Sequence, residues 1–214
     1  MSAIEWLLHI LRQPGDLIAY GYPVIALIIF AESAIFPFLP GDSLLVVAGI
    51  YAAKGDINLA ILTAILIPVA VLGNGVAYFL GKSVGPKLFS NPRSRFFKPA
   101  YAQKAHEFYE RYGGAAIVIA RFVPIVRTFV PVIAGIAGMP YRTFVTYNIA
   151  GGAAWILSMG LGGYFLGGFA ASHGFPLDKH IEKVAIAVVL LSILPAIISY
   201  LRERGKAQPA KKAS

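Results

Sequence analysis

The sequence predicts an all-α integral membrane protein, an inverted repeat with two opposed re-entrant hairpins, about four spanning helices and short interfacial helices. Three observations carry that reading. With 57% hydrophobic residues, 14% charged residues and a mean hydropathy of +0.70, the 214 residues hold too little polar surface to coat a water-soluble globule. Several apolar windows reach the length of about 20 residues that crosses a hydrocarbon core. Four charged residues, Glu32, Asp42, Arg121 and Arg127, nonetheless interrupt segments that otherwise read as membrane-embedded, and each of those segments is also broken by prolines. A charge at mid-bilayer costs roughly 2.5–3.5 kcal/mol on insertion scales, so such residues are expected to face a protein-lined or wet cavity and to mark a pathway. The plain alternative is a pair of structural ion pairs locking helices together.

The chain reads as one membrane domain. In residues 1–14, Ile4, Leu7, Leu8 and Leu11 follow the i, i+3, i+4, i+7 rule, giving a short interfacial helix anchored by Trp6 and ended by Pro14-Gly15. No basic stretch precedes these apolar residues, so a cleaved signal peptide is not expected. The first half, residues 15–81, opens with a span over 17–31. Pro37 and Pro40 then break a re-entrant hairpin over 33–53, and Lys54-Gly55-Asp56 makes a turn. Residues 59–80 are long enough to cross, and Gly73, Ala77, Gly81 and Gly85 form a small-residue stripe read as helix packing. Residues 82–112 form a basic loop with seven Lys and Arg against Glu107 and Glu110, and Tyr101, Ala105, Phe108 and Tyr112 mark a second interfacial helix within it. The second half, residues 113–201, holds a hairpin over 113–139, broken by Pro124 and Pro131, then spans over 143–168 and 184–201. The basic tail, 202–214, is expected to lack fixed structure.

Charge sets the expected partners and sides. The net charge of +9 sits beside apolar spans, which points to anionic lipid headgroups and away from nucleic acid. The absence of cysteine excludes disulfides, thiolate chemistry and Cys-type zinc sites, and no cofactor or metal is expected. The central loop and the tail are the two basic blocks, so both belong in the cytoplasm. Three crossings would separate them if 113–139 spanned the membrane, whereas a hairpin leaves two and keeps both blocks inside. By the same count 59–80 runs inward, 33–53 enters from outside, and the N-terminus is cytoplasmic. The two hairpins then approach from opposite faces, the arrangement of an inverted repeat. They carry similar strings, Val47-Ala48-Gly49-Ile50 and Ile133-Ala134-Gly135-Ile136.

On an unbroken helix, side chains six residues apart point about 240° apart. Arg121 and Arg127 therefore diverge unless Pro124 kinks the chain between them. Converging, they would present two planar donor forks suited to gripping phosphate. Glu32 and Asp42 would handle protons or gate the arginines. Burial and a neighbouring arginine act in opposite senses on a carboxyl group, and the sequence does not say which prevails. Asn148 and Asn74 are candidate cavity-lining residues, since a mid-span amide needs a partner. Trp155 reads as packing and His106 as a solvated helix residue.

These residues resemble the DedA family, also called the VTT or SNARE-associated membrane-protein family. The matching strings are Glu32 with Pro37-Phe38-Leu39-Pro40-Gly41-Asp42, then Gly73-Asn74 with Tyr78, Gly81 and Gly85. They continue with Arg121-Phe122-Val123-Pro124, Arg127, Pro131, Ala134-Gly135, Met139, Phe144, Asn148, Gly151 and Trp155, covering roughly residues 20–170. The resemblance implies a bacterial inner-membrane protein that moves lipid: undecaprenyl phosphate recycling in bacterial relatives, phospholipid scrambling in eukaryotic ones. It also implies a need for two acidic and two arginine positions, here Glu32, Asp42, Arg121 and Arg127. One departure is Gly73-Asn74, where relatives often have Gly-Asp, which puts any proton relay through that position in doubt. The interval between Glu32 and Asp42 varies among relatives.

The reading is a transporter or flippase of a phosphate-bearing lipid, undecaprenyl phosphate first, coupled to protons. The alternatives are a general flippase or scramblase of phospholipids such as phosphatidylethanolamine, and a proton-coupled carrier of small ions. A lipid-phosphate phosphatase is not expected, because His9, His106, His173 and His180 all lie in polar flanks rather than among the arginines.

Overall fold

The structure, a computed structural model, describes residues 21–34, 36, 39–89, 112–175, 180, 183–184 and 186–188. The expected interfacial helix of 1–14, most of that within 82–112, the tail, Pro37 and most of the 184–201 span lie outside the described residues. The helices in chain order are α1 (Tyr22–Ala34), α2 (Gly41–Lys54), α3 (Leu59–Phe89), α4 (Ala115–Ala120), α5 (Pro124–Ile136) and α6 (Tyr141–Ser172). Two stretches among the described residues are long and apolar enough to cross a membrane, Leu59–Val84 in α3 and the whole of α6. At 1.5 Å per residue, the 13 residues of α1 and the 14 of α2 each reach only about 20 Å, short of a hydrocarbon core of about 30 Å. Each covers about two-thirds of that thickness.

Prolines place the breaks, though not all of them as expected. Helix α1 continues through Ser33 and Ala34 and α2 begins at Gly41, so α1 is itself the first limb of the pair. Pro40 opens the second limb: its carbonyl accepts from the Leu44 amide and from Ser43 Oγ, both at 2.9 Å. The second break is residues 121–123. Val123 is extended, as a residue before proline prefers, and Pro124 is the first residue of α5, where its missing N–H leaves nothing unpaired. Pro124 therefore separates two helices, where the spacing argument asked it to kink one. Pro131 is no break at all: it lies inside α5, which runs on to Ile136. A proline there forfeits the hydrogen bond to the Arg127 carbonyl, and the close packing of the next residue, Val132, against α3 holds the helix through it.

The two halves interlock. Each supplies a broken helix pair and then a long helix, and the second limb of each pair packs on the long helix of the other half: α2 on α6, α5 on α3. The first limbs stay at home, α1 against α3 and α4 against α6. Glycines let the crossed pairs touch backbone to backbone. A Cβ on Gly49 would overlap the Gly160 carbonyl, and one on Gly163 the Val46 carbonyl. In the other crossed pair, Gly135 meets the Tyr78 carbonyl and Gly81 the Val132 carbonyl. The spacing is the same in both, three residues on each helix. Both second limbs end on a left-handed glycine, Gly55 at φ 90° and Gly138 at φ 72°. Gly73, Ala77 and Gly81 thus pack as the small-residue stripe predicts, Gly73 against the Phe30 carbonyl of α1.

Apolar side chains fill the seams. Ile25, Ile29, Leu44, Leu45, Leu62, Leu66, Trp155 and Ile156 form one cluster; Tyr78, Ile117, Val130, Met139 and Phe144 form another. Outside, α3 and α6 expose Leu72, Phe79, Phe165 and Phe169, an apolar surface suited to lipid.

Candidate functional site: buried charges where the helix breaks meet

Both breaks deliver charge to the same place. Glu32 lies in the last turn of α1 and Asp42 in the first turn of α2; Arg121 follows α4 and Arg127 lies in the first turn of α5. All four are buried, Glu32 at 1% exposure, Arg121 at 2%, and Asp42 and Arg127 at 7%. Taking even one ion out of water costs several kcal/mol, which only close partners offset.

Arg127 is the hub. Its Nη1 donates to Asp42 Oδ1 at 2.7 Å and its Nη2 donates to Glu32 Oε1. The fork is divided between two carboxylates on two helices rather than spent bidentately on one. Trp155 Nε1 donates to the same Asp42 oxygen at 2.8 Å. Its ring lies 4.8 Å from the Arg127 guanidinium carbon and 5.7 Å from that of Arg121. Both arginines therefore converge, on an indole ring.

Arg121 has different company. Its Nη2 donates to Asn148 Oδ1 at 2.8 Å and to the Ala70 carbonyl at 3.2 Å, and Asn148 Nδ2 donates to the Val71 carbonyl at 3.0 Å. Asn74 Nδ2 donates to Asn148 Oδ1 at 3.0 Å; with the amide turned over, its oxygen would instead accept from Arg121 and its nitrogen donate to the Ser33 carbonyl. These partners are all neutral. The plain alternative of two ion pairs locking helices is met at Arg127, which pairs with both acids and so joins α1, α2 and α5, whereas Arg121 is held by amides and a carbonyl. Glu32 lies against the backbone of Gly41, and among the described residues Arg127 Nε and Thr128 Oγ1 find no hydrogen-bond partner, so the cluster retains unused capacity beside its central cation.

The structure joins Glu32, Asp42, Arg121, Arg127, Asn74 and Asn148 in one network. Pro40 and Pro124 bound the breaks beside it, and Pro131 stands one helical turn beyond Arg127. Sequence reasoning missed Trp155 and Thr128. A signal for Trp155 existed: it lies seven residues after Asn148, two turns along the same face of α6. Elsewhere, an open pocket of about 480 Å³ between the α2–α3 turn and α6 is lined by Ile57, Asn58, Thr63, Leu157 and Tyr164 and carries no charged side chain. Among the described residues no cluster of His, Cys, Asp or Glu is placed to hold a metal.

A helical protein with apolar outer helices and a buried, proline-framed charge cluster belongs among membrane-embedded proteins, and the comparisons say which. The VTT domain family matches residues 39–165. Protein DedA of Escherichia coli K12 is 40% identical over 217 aligned positions, covering 98% of this chain and 97% of that protein. A Mycobacterium tuberculosis membrane protein is 43% identical, covering 84% of this chain and 78% of its own length. The Escherichia coli inner membrane protein YqjA is 35% identical, with 71% of this chain and 70% of that protein covered. The chain belongs to the DedA family. No solved structure matches it.

Proposed function

We propose that the protein carries a phosphate-bearing lipid across the bacterial inner membrane, undecaprenyl phosphate being the first candidate, together with protons. The observation that carries this reading is the divided fork of Arg127. A purely structural arginine is best served by one bidentate carboxylate; this one is shared between two acids, with Nε unused and a second arginine beside it. Protonation of either acid releases one arm of the fork, and a phosphate oxygen then takes the place of the carboxylate. Deprotonation restores the ion pair and expels the phosphate. The lipid tail stays in the bilayer against the apolar outer faces.

The same reading places the α1–α2 and α4–α5 pairs as re-entrant hairpins entering from opposite faces, with the C-terminal basic tail cytoplasmic; with α1 a limb of the outer hairpin, the cytoplasmic N-terminus expected from a 17–31 span no longer follows. Limbs shorter than a full span and reciprocal packing of the two halves support it. Non-helical backbone at membrane depth is tolerated where its polar groups are satisfied within the protein, and the amides of Arg121, Phe122 and Val123 donate to the carbonyls of Val118, Ile119 and Ala120. The reaction proposed is transport without bond cleavage; the side-chain and carbonyl partners of the two arginines among the described residues are Glu32, Asp42, Asn148 and Ala70, with no histidine among them.

Reconstitution in liposomes tests this. Labelled undecaprenyl phosphate should change leaflets faster with the protein than without, and faster still under an imposed pH gradient. Phosphatidylethanolamine moved equally well would replace the substrate with ordinary phospholipid, and release of inorganic phosphate would make the protein a hydrolase.

A further inference from the structure

We propose that Trp155 is a positioning residue of the charge site, holding Asp42 with its indole N–H and aligning both guanidiniums with its ring. The inference deepens the transport reading and rests on it for its functional arm.

Trp155 lies in mid-α6, fully buried among Ile25, Ile29, Leu44, Leu45 and Leu66. Filling that space needs only an apolar side chain, and an indole N–H set there is costly unless it is paired. It is paired with the one oxygen that also accepts from Arg127, Asp42 Oδ1, at 2.8 and 2.7 Å. Helices α1 and α2, which carry Glu32 and Asp42, make little contact with each other. Nothing in their own packing stops Arg127 from turning its whole fork onto one acid. The indole N–H takes the second lone pair of Asp42 Oδ1 and so fixes the carboxylate with that oxygen on Arg127 Nη1, leaving Nη2 for Glu32, and the ring at 4.8 Å fixes the plane of the guanidinium. The same ring at 5.7 Å from Arg121 ties the arginine with neutral partners to the one with ionic partners. Trp155 thereby keeps Arg127 divided, the state from which a single protonation frees one arm. Without the N–H, the Asp42 carboxylate loses the restraint that holds its Oδ1 on Arg127, and the division of the fork is no longer fixed.

The chain has two tryptophans, so Trp6→Phe leaves Trp155 as the sole one. In that background position 155 is filled with fluorotryptophan, which keeps the N–H, or with benzothienylalanine, which keeps the two-ring shape and puts sulfur in place of N–H. Lipid turnover in liposomes should stay within about twofold for the first and fall roughly tenfold for the second, the scale of a lost hydrogen bond to a charged group. Trp155→Phe should resemble benzothienylalanine. The indole N–H proton resonance of the Trp6→Phe protein in detergent should lie downfield of free tryptophan and move upfield in Asp42→Asn. Full activity with benzothienylalanine, or a resonance indifferent to Asp42→Asn, overturns the proposal. If the unmodified protein moves no labelled lipid, the transport reading fails, and the resonance still decides whether Trp155 holds Asp42.

Discussion

Arg127 meets Glu32 and Asp42 through separate nitrogens, so loss of either acid has a different consequence from loss of the arginine. Glu32→Gln keeps the shape and an acceptor oxygen but cannot take up a proton. Its transport should lose the response to an imposed pH gradient while the protein still folds; an undiminished response would assign coupling to Asp42. Arg127→Lys keeps the charge but has no fork to divide between two carboxylates. Transport should fall by roughly tenfold or more, because a point charge cannot span both acids and a phosphate. A fully active Arg127→Lys protein would leave only a structural ion-pair role. The four charges themselves were legible in the sequence, because a charge in an apolar segment is conspicuous at any resolution. Their pairing was not. Which acid meets which arginine depends on helix crossings between residues 85 and 95 positions apart, and local patterns carry no information about them. The neutral partners of Arg121 were hidden for the same reason: Asn74 and Asn148 were visible as amides needing partners, but not as each other's neighbours.

At the scale of helices, glycine placement decides what can move and what cannot. Gly163 of α6 lies against the Val46 carbonyl, while its neighbour Gly162 has open space around it. Gly163→Val should destabilise the protein by about 1–3 kcal/mol, the usual cost of overpacking, and Gly162→Val should not. Gly81→Val should behave like Gly163→Val, since Gly81 makes the equivalent contact with Val132 in the other crossed pair. Thermal unfolding in detergent measures all three, and equal melting of the Gly162 and Gly163 variants would contradict the crossed packing. The long helices, the two broken segments and the small-residue stripe could be read from hydropathy, proline positions and a four-residue period. The mode of crossing could not, because a small-residue stripe says that some helix comes close without saying which. Pro131 shows the opposite error. Its sequence signal is that of a break, yet α5 passes through it with a single hydrogen bond forfeited and tertiary packing in compensation.

For the whole molecule, the charge count of the buried cluster constrains what it can transport. Two carboxylates and two guanidiniums balance formally, and net charge held away from water is what the bilayer penalises most. A phosphate monoanion entering this cluster adds one negative charge, which a single proton on Glu32 or Asp42 cancels; a dianion requires both acids to be protonated. Either way the loaded cluster stays neutral only if each phosphate charge travels with one proton. Transport should therefore respond to a pH gradient and be nearly indifferent to membrane potential. Proteoliposomes with a potassium diffusion potential set by valinomycin, at equal pH inside and out, separate the two driving forces. Flux that accelerates with potential at equal pH would mean that the loaded cluster carries net charge, and one-for-one compensation by the acids would be wrong. Asp42→Asn sharpens the test. With one titratable acid left beside two arginines the empty cluster is positively charged, so a monoanion can enter without a proton, and flux in that variant should become sensitive to potential in proportion as it loses its dependence on pH.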